Sequence, residues 1–144
     1  MSNKPAPHIF HMLHIAHAEL FRAADRLMRA REGIATAHQV ILFTLAAENG
    51  LPSAEVARRC GHSKSRLTNL VDTLEEKSLV ERRHSNADKR IQNLFITPKG
   101  RALVKRVSSM TKRLNAQLLE PFSESECEVI RSFLEHVVEE AATI

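Results

Sequence analysis

The chain has 144 residues, 43% of them hydrophobic and 26% charged, and its only aromatic side chains are six phenylalanines. That composition suits one domain with its own core, and with no long apolar run or leader-like segment a membrane-spanning or secreted reading has no support and a cytoplasmic protein is expected. Lys and Arg number 21 against 17 Asp and Glu, a net +4 with a pI near 9.4, which favours a polyanionic partner.

Residues 1–7, with two prolines and no periodicity, read as an arm. From His8 to Arg31 the apolar stripe Ile9, Leu13, Ala16, Leu20, Ala24 and Leu27 predicts a long helix, which Gly33 ends. Thr36 with Gln39 reads as a capping box opening a second helix to about Glu48. This helix is apolar nearly all round and is therefore expected to be central. Asn49-Gly50-Leu51-Pro52 is a stop and turn. Ser53 is read as the cap of a third helix ending at Cys60-Gly61, and Ser63 as the cap of a fourth. Leu67, Leu70, Val71 and Leu74 give the fourth helix one apolar face. Leu79–Arg82 and Asn93–Ile96 are strand-like, and the tip between them, Arg83 to Arg90, is too polar to be buried.

Thr97 as cap and Pro98 at the first helical position start a fifth helix carrying Leu103, Val104, Val107, Met110, Leu114 and Leu118, which stops at Pro121. Ser123 and Glu126 form a second capping box, for a sixth helix with Val129, Ile130, Phe133, Leu134, Val137 and Val138. The fifth helix is basic, whereas residues 120–144 hold seven acids against Arg131 alone, so the two are expected to pack antiparallel. The apolar stripes of the first, fifth and sixth helices exceed what a small lobe can cover, which marks an interface. The fold class expected is mainly α with a small β-hairpin wing. In domain terms, 36–97 would form a helix-turn-helix lobe, with 8–35 and 98–144 as terminal helices of one 1–144 domain.

The polar side of the fourth helix presents Ser63, Lys64, Ser65, Arg66, Thr68 and Asn69. These are small or cationic hydrogen-bonding groups suited to phosphates and base edges. A plain solvated face is the alternative, but charge placement argues against it. Residues 58–90 hold nine Lys or Arg and five Asp or Glu, a local excess equal to that of the whole chain.

The tip reads Asp88-Lys89-Arg90, then Leu94, then Thr97-Pro98-Lys99-Gly100. This resembles the D-x-R followed by L-x-x-T-x-x-G of the winged-helix domain of the MarR family of bacterial transcriptional regulators. The runs Ser63 to Thr68, Leu74 to Lys77 and Leu79 to Arg82 fit the same pattern, and the order of helices fits across nearly the whole chain. Asn69 stands where many members carry arginine, and Arg66 where they carry a small residue, which bears on the DNA sequence read. The resemblance implies double-stranded DNA as partner, with Arg90 entering the minor groove and Asp88 orienting its guanidinium. Arg82, Arg83 and Lys89 would touch phosphate. It also implies a homodimer through the terminal helices, with two recognition helices set roughly 10 bp apart on a near-palindromic operator. Such a repressor would be released by a small-molecule effector, an aromatic or heteroaromatic acid such as a hydroxybenzoate or hydroxynicotinate. No cofactor is expected.

Histidine is the unusual residue: His8, His11, His14 and His17 stand at successive i, i+3 steps, and His38 lies in the second helix. Each step rotates by about −60°, so His8 and His17 face opposite sides ~13 Å apart along the axis. One metal ion cannot take all four. Three readings stay open: solvated side chains, a ligand pocket for the aromatic acid, or a metal-responsive repressor. The last lacks further ligands on the fifth helix. Cys60 and Cys127 have no metal-type spacing and read as reduced structural thiols. An enzyme finds no support, with no HExxH, nucleophile elbow or glycine-rich phosphate loop to supply catalytic residues.

Overall fold

A computed structural model describes residues 8–144, and the arm expected over residues 1–7 lies outside the described residues. The order is α1 (Ile9–Glu32), α2 (Thr36–Ala47), β1 (Leu51–Pro52), α3 (Ser53–Cys60), α4 (Lys64–Glu76), β2 (Val80–His84), β3 (Gln92–Ile96), α5 (Pro98–Leu119) and α6 (Glu124–Ala141). This is the mainly helical winged helix-turn-helix that the patterning implies. The chain divides into two compact units, one through Val104 and one from Lys105 to Ile144.

In the first unit α2 is the hub, touching α1, α3, α4 and β3. Its Ile41, Leu42 and Leu45 are fully buried. Val56 of α3, Leu67, Val71 and Leu74 of α4, and Val80, Leu94 and Ile96 of the sheet are buried with them in the core. Each such side chain contributes about 1.5–3 kcal/mol by leaving water. The all-round apolar pattern of α2 is nonetheless imperfectly used, because Val40 stays exposed.

The turn between α1 and α2 departs from expectation. Gly33 ends α1 in the left-handed region, but the cap of α2 is Ala35, and Thr36 is already helical. Ile34 and Ala35 are buried, so their backbone groups need protein partners. Ala35 has no side-chain acceptor to offer, and residues from either side supply two. Nδ1 of His38 accepts the Ala35 N–H at 3.0 Å, and Oδ1 of Asp25 accepts the Thr36 N–H at 2.9 Å. Asp25 also takes Nε of Arg29 at 2.8 Å, and these bonds, Arg29 first, hold its carboxyl below the usual range. Burial, followed by the charge of Arg29, pushes the His38 imidazole below its ordinary value. Gln39 plays no part in the cap. Ser53 is likewise not a cap: Pro52 precedes the helix and no side chain caps it.

The expected hairpin is a three-stranded antiparallel sheet in the order β1-β3-β2. Residues 49–52, read as a turn alone, add a short edge strand, with Leu51 opposite Leu94 and Pro52 opposite Asn93. The Gly50 N–H donates to the Leu94 carbonyl at 3.0 Å, and the Asn49 side chain accepts the Ile96 N–H at 2.9 Å. Proline hides such a strand from sequence because it cannot donate to a ladder, and it is tolerated at an edge. Gly50 is required twice over, for its φ of 78° and because a Cβ would lie 2.8 Å from the Phe95 ring.

α5 is anchored to the sheet at its first turn. Thr97 accepts the Gly100 N–H at 3.0 Å through its hydroxyl, which itself donates to the Ser78 carbonyl at 2.7 Å. The Thr97 N–H donates to the Leu79 carbonyl at 3.1 Å. A Cβ on Gly100 would collide with that same carbonyl oxygen and lie 2.7 Å from Ile96 Cγ1.

In the second unit the Ser123–Glu126 capping box forms as expected. The Ser123 hydroxyl accepts the Glu126 N–H at 3.2 Å, and Glu126 accepts the Ser123 N–H at 2.7 Å. No residue of α6 is fully buried, while Cys127, Ile130 and Val137 are half-buried. Two of its acids are answered within the helix, where Arg131 pairs with Glu128 at 2.5 Å and Glu135 at 2.9 Å. Val129, Leu134 and Val138 remain exposed. Among the described residues no helix is long and apolar enough to cross a membrane.

Candidate nucleic-acid interface

α4 is aimed by its two faces. Leu67, Val71 and Leu74 are buried, so Lys64, Ser65, Arg66, Thr68 and Asn69 are turned to solvent. Ser63 has extended backbone and its hydroxyl accepts the Arg66 N–H at 3.2 Å. No acid lies in the first turn, so the positive end of the helix dipole is joined by Lys64 and Arg66. The Thr68 hydroxyl is turned back onto the Lys64 carbonyl at 3.0 Å.

The wing is β2, β3 and the tip between them. Ser85 N–H donates to the Ile91 carbonyl at 2.8 Å, and Ile91 N–H to the Asp88 carbonyl at 3.0 Å. Nδ1 of His84 lies 2.8 Å from the Lys89 carbonyl. On this turn Asp88 and Arg90 form a two-pronged pair, Nε to Oδ1 at 3.1 Å and the terminal nitrogen to Oδ2 at 3.0 Å. Asp88 also accepts the Arg90 N–H at 3.0 Å. The pair holds the Asp88 carboxyl below its usual range and raises the Arg90 guanidinium. Arg90 itself is 90% exposed. It is thus a pre-aimed cation with its contact edge in water.

The other expected phosphate contacts differ among themselves. Lys89 is exposed. Arg83 stacks 4.4 Å from the Phe95 ring centre and pairs with Glu81 at 2.8 Å. Arg82 is engaged within the lobe, where its guanidinium, 18% exposed, is taken by Asp72 at 2.5 Å, Glu75 at 3.1 Å and the Thr68 carbonyl at 3.2 Å. It joins β2 to α4 rather than reaching into solvent.

Between α3, α4 and the wing lies a groove of about 700 Å³, lined by Ala54, Arg58, Lys64, Thr68, His84 and Arg90 among others. The start of α4 and the tip of the wing therefore share one cationic concavity.

Residues 33–91 match the model of the MarR family. Over these residues the chain is similar to the MarR family. The HTH-type transcriptional repressor MdtR of Bacillus subtilis (strain 168) is 29% identical over 96 residues, 67% of this chain and 62% of that protein. The match thus spans just under two thirds of this relative's length. Streptococcus pneumoniae FabT, solved in complex with DNA, superposes with a TM-score of 0.81 at 18% identity, covering 94% of this chain and 96% of that one. Bordetella bronchiseptica BpsR, whose DNA binding is regulated by 6-hydroxynicotinic acid, gives a TM-score of 0.74 at 18% identity, covering 92% of this chain and 99% of that one. At these identities the two structures attest the fold.

Within this lobe Arg58, His62 and His84 also line the groove, although no motif in the sequence singles them out. The signal for Arg58 is partly present in the local charge excess. It is half-answered in the structure by Glu55, at 2.9 and 2.6 Å, and Arg58 and Arg59 together lower Glu55 to about 2. The histidines of α1 do not gather. His8, His11, His14 and His17 are exposed, and His17 tilts against Phe21 with ring centres 6.0 Å apart. Among the described residues no three of His, Cys, Asp and Glu are grouped to hold a metal. His38 stands apart from them, half-buried with one ring nitrogen committed to the α2 cap.

Proposed function

We propose that the chain is a sequence-specific transcriptional regulator of double-stranded DNA, acting as a homodimeric repressor. The observation that carries this reading is one cationic groove shared by the Ser63-capped helix and the Asp88–Arg90 wing. Ser63, Lys64, Ser65, Arg66, Thr68 and Asn69 would meet the major groove, with Arg90 in the minor groove and Arg83 and Lys89 on phosphate. The repressor named among the relatives and the DNA-bound structure support the reading.

Dimerisation is supported by apolar side chains left open in each unit. On α1 these include Phe10, Met12, Ile15, Leu20 and Phe21, and on α6 Val129, Leu134 and Val138. Patches of this kind on a small protein mark an interface. Residues 8–35 and 98–144 would supply it, and 36–97 would read DNA. For the effector we favour a hydroxybenzoate- or hydroxynicotinate-type acid, a reading supported by the nicotinate-regulated neighbour. It acts only if it binds the DNA-incompetent arrangement more tightly.

The test begins with selection of a duplex from a randomised pool by the wild-type chain, followed by binding of that duplex measured by fluorescence anisotropy. Arg90→Ala is expected to weaken binding by about 2 kcal/mol or more with melting unchanged; undiminished affinity at moderate salt refutes the wing assignment. A panel of hydroxylated benzoates and nicotinates should contain a compound that lowers DNA affinity and raises the melting temperature.

A further inference from the structure

We infer that Arg82 is a positioning residue, a clamp that fixes the wing relative to α4, and not one of the phosphate contacts. The inference rests on the DNA-binding reading above. Arg82 lies on β2 opposite Leu94 of β3, so whatever holds it holds both strands of the wing. Its guanidinium reaches three acceptors, all on α4: the Thr68 carbonyl at 3.2 Å, Asp72 at 2.5 Å and Glu75 at 3.1 Å. The second oxygen of Glu75 takes the Arg82 backbone N–H at 3.2 Å, so one carboxylate grips both side chain and strand. Thr68 is itself on the outward face of α4, one turn beyond Lys64. The clamp therefore joins the strand that carries the tip to the turn that would face base edges.

Two physical points favour a clamp over a contact. To reach a phosphate, Arg82 would have to leave three acceptors and a site where it is 18% exposed. Asp72 and Glu75 would then face a polyanion uncompensated. A planar fork with five donors suits three acceptors on one helix face, which a lysine ammonium cannot match. A DNA-binding surface of two separate elements also gains from having their separation set before binding, because ordering a loose wing on the duplex costs affinity.

The decisive variant is Asp72→Asn/Glu75→Gln, which keeps the Arg82 cation and removes two negative charges beside the interface. If Arg82 were a phosphate contact, releasing it would tighten binding to the selected duplex. The clamp makes the opposite prediction: about a tenfold loss of affinity, with hydroxyl-radical protection lost where the wing lies and retained where α4 lies. Arg82→Lys should fail to restore affinity although it keeps the charge. Tighter or unchanged binding by the double variant overturns the inference. Should that variant not fold, Asp72→Asn alone, which leaves Glu75 in place, is read in the same way. A DNA-free measurement separates this inference from the functional reading. Hydrogen exchange in the double variant should quicken across β2 and β3 while the amides of α2 keep their protection. Unchanged exchange in the wing overturns the clamp even if no duplex is ever selected.

Discussion

Gly100→Ala tests whether α5 is seated by close approach to the sheet. In an isolated helix the change would stabilise by about 1 kcal/mol, since glycine is a poor helix former. Here the new methyl would overlap the Leu79 carbonyl oxygen and press on Ile96 Cγ1 at 2.7 Å. The carbonyl cannot retreat freely, because it accepts the Thr97 N–H, and Thr97 is also bonded to Ser78. Relief therefore requires α5 to lift, at an overpacking cost of about 1–3 kcal/mol and a strained or lost hydrogen bond of about 1 kcal/mol. After the propensity gain, a net loss of about 1–3 kcal/mol remains. For a chain of this length that is a fall in melting temperature of roughly 3–10 °C. The assay is thermal unfolding followed by circular dichroism at fixed protein concentration, since a dimer's midpoint depends on it. Gly61→Ala is the comparison: nothing lies within 4 Å of its Cβ, and only its φ of 68° is strained, a cost of about 1 kcal/mol. A Gly100→Ala protein that melts at or above the wild type refutes the close-approach argument.

Three further outcomes are expected. Ser123→Ala removes the hydroxyl half of the α6 capping box and should cost about 1 kcal/mol in urea unfolding; a loss below a few tenths would show that α6 does not depend on its cap. Asp88→Asn leaves Arg90 charged but loosely aimed, so affinity for the selected duplex should fall about tenfold while the melting point holds, both side chains being at the surface. Equal affinity would mean that Asp88 is only a turn residue. His38 is favoured in its neutral form by the fold, with its pKa lowered from 6.5. Its contribution to stability is therefore complete above the unfolded pKa and is lost as the pH falls below about 6.5. His38→Gln should flatten the decline in stability on the acid side, and an unchanged decline would remove His38 as its source.

Elements with strong local signals were legible. The Ser63 and Ser123 caps, Thr97 and Pro98 at the start of α5, and the Asp88-x-Arg90 turn all bond within a few residues along the chain. What escaped depends on distant chain segments. The cap of α2 moved to Ala35 because Asp25, eleven residues before Thr36, supplies an acceptor that no local motif predicts. β1 was hidden because its partner lies beyond two helices and it contains a proline. Arg82 reads like any cation of a basic segment; only the approach of β2 to α4 brings Asp72 and Glu75 to it. Among the residues lining the groove, Arg58 of α3 is brought beside the wing's Arg90 by the fold alone.

The wing divides sharply into stem and tip. Leu94, Ile96 and Val80 root the stem in the core, whereas beyond the Ser85–Ile91 bond the tip is held by its own short turns and by the contact of His84 with the Lys89 carbonyl. Lengthening a surface loop costs little, about 0.6 kcal/mol for each doubling. Insertions or deletions between Ser85 and Ile91 would therefore change how far the cation travels along a duplex without disturbing the helices beneath. The tip acts as an adjustable ruler on a fixed base, and the spacing of half-sites and flanking minor-groove steps that such a protein accepts can drift without any change to its interior.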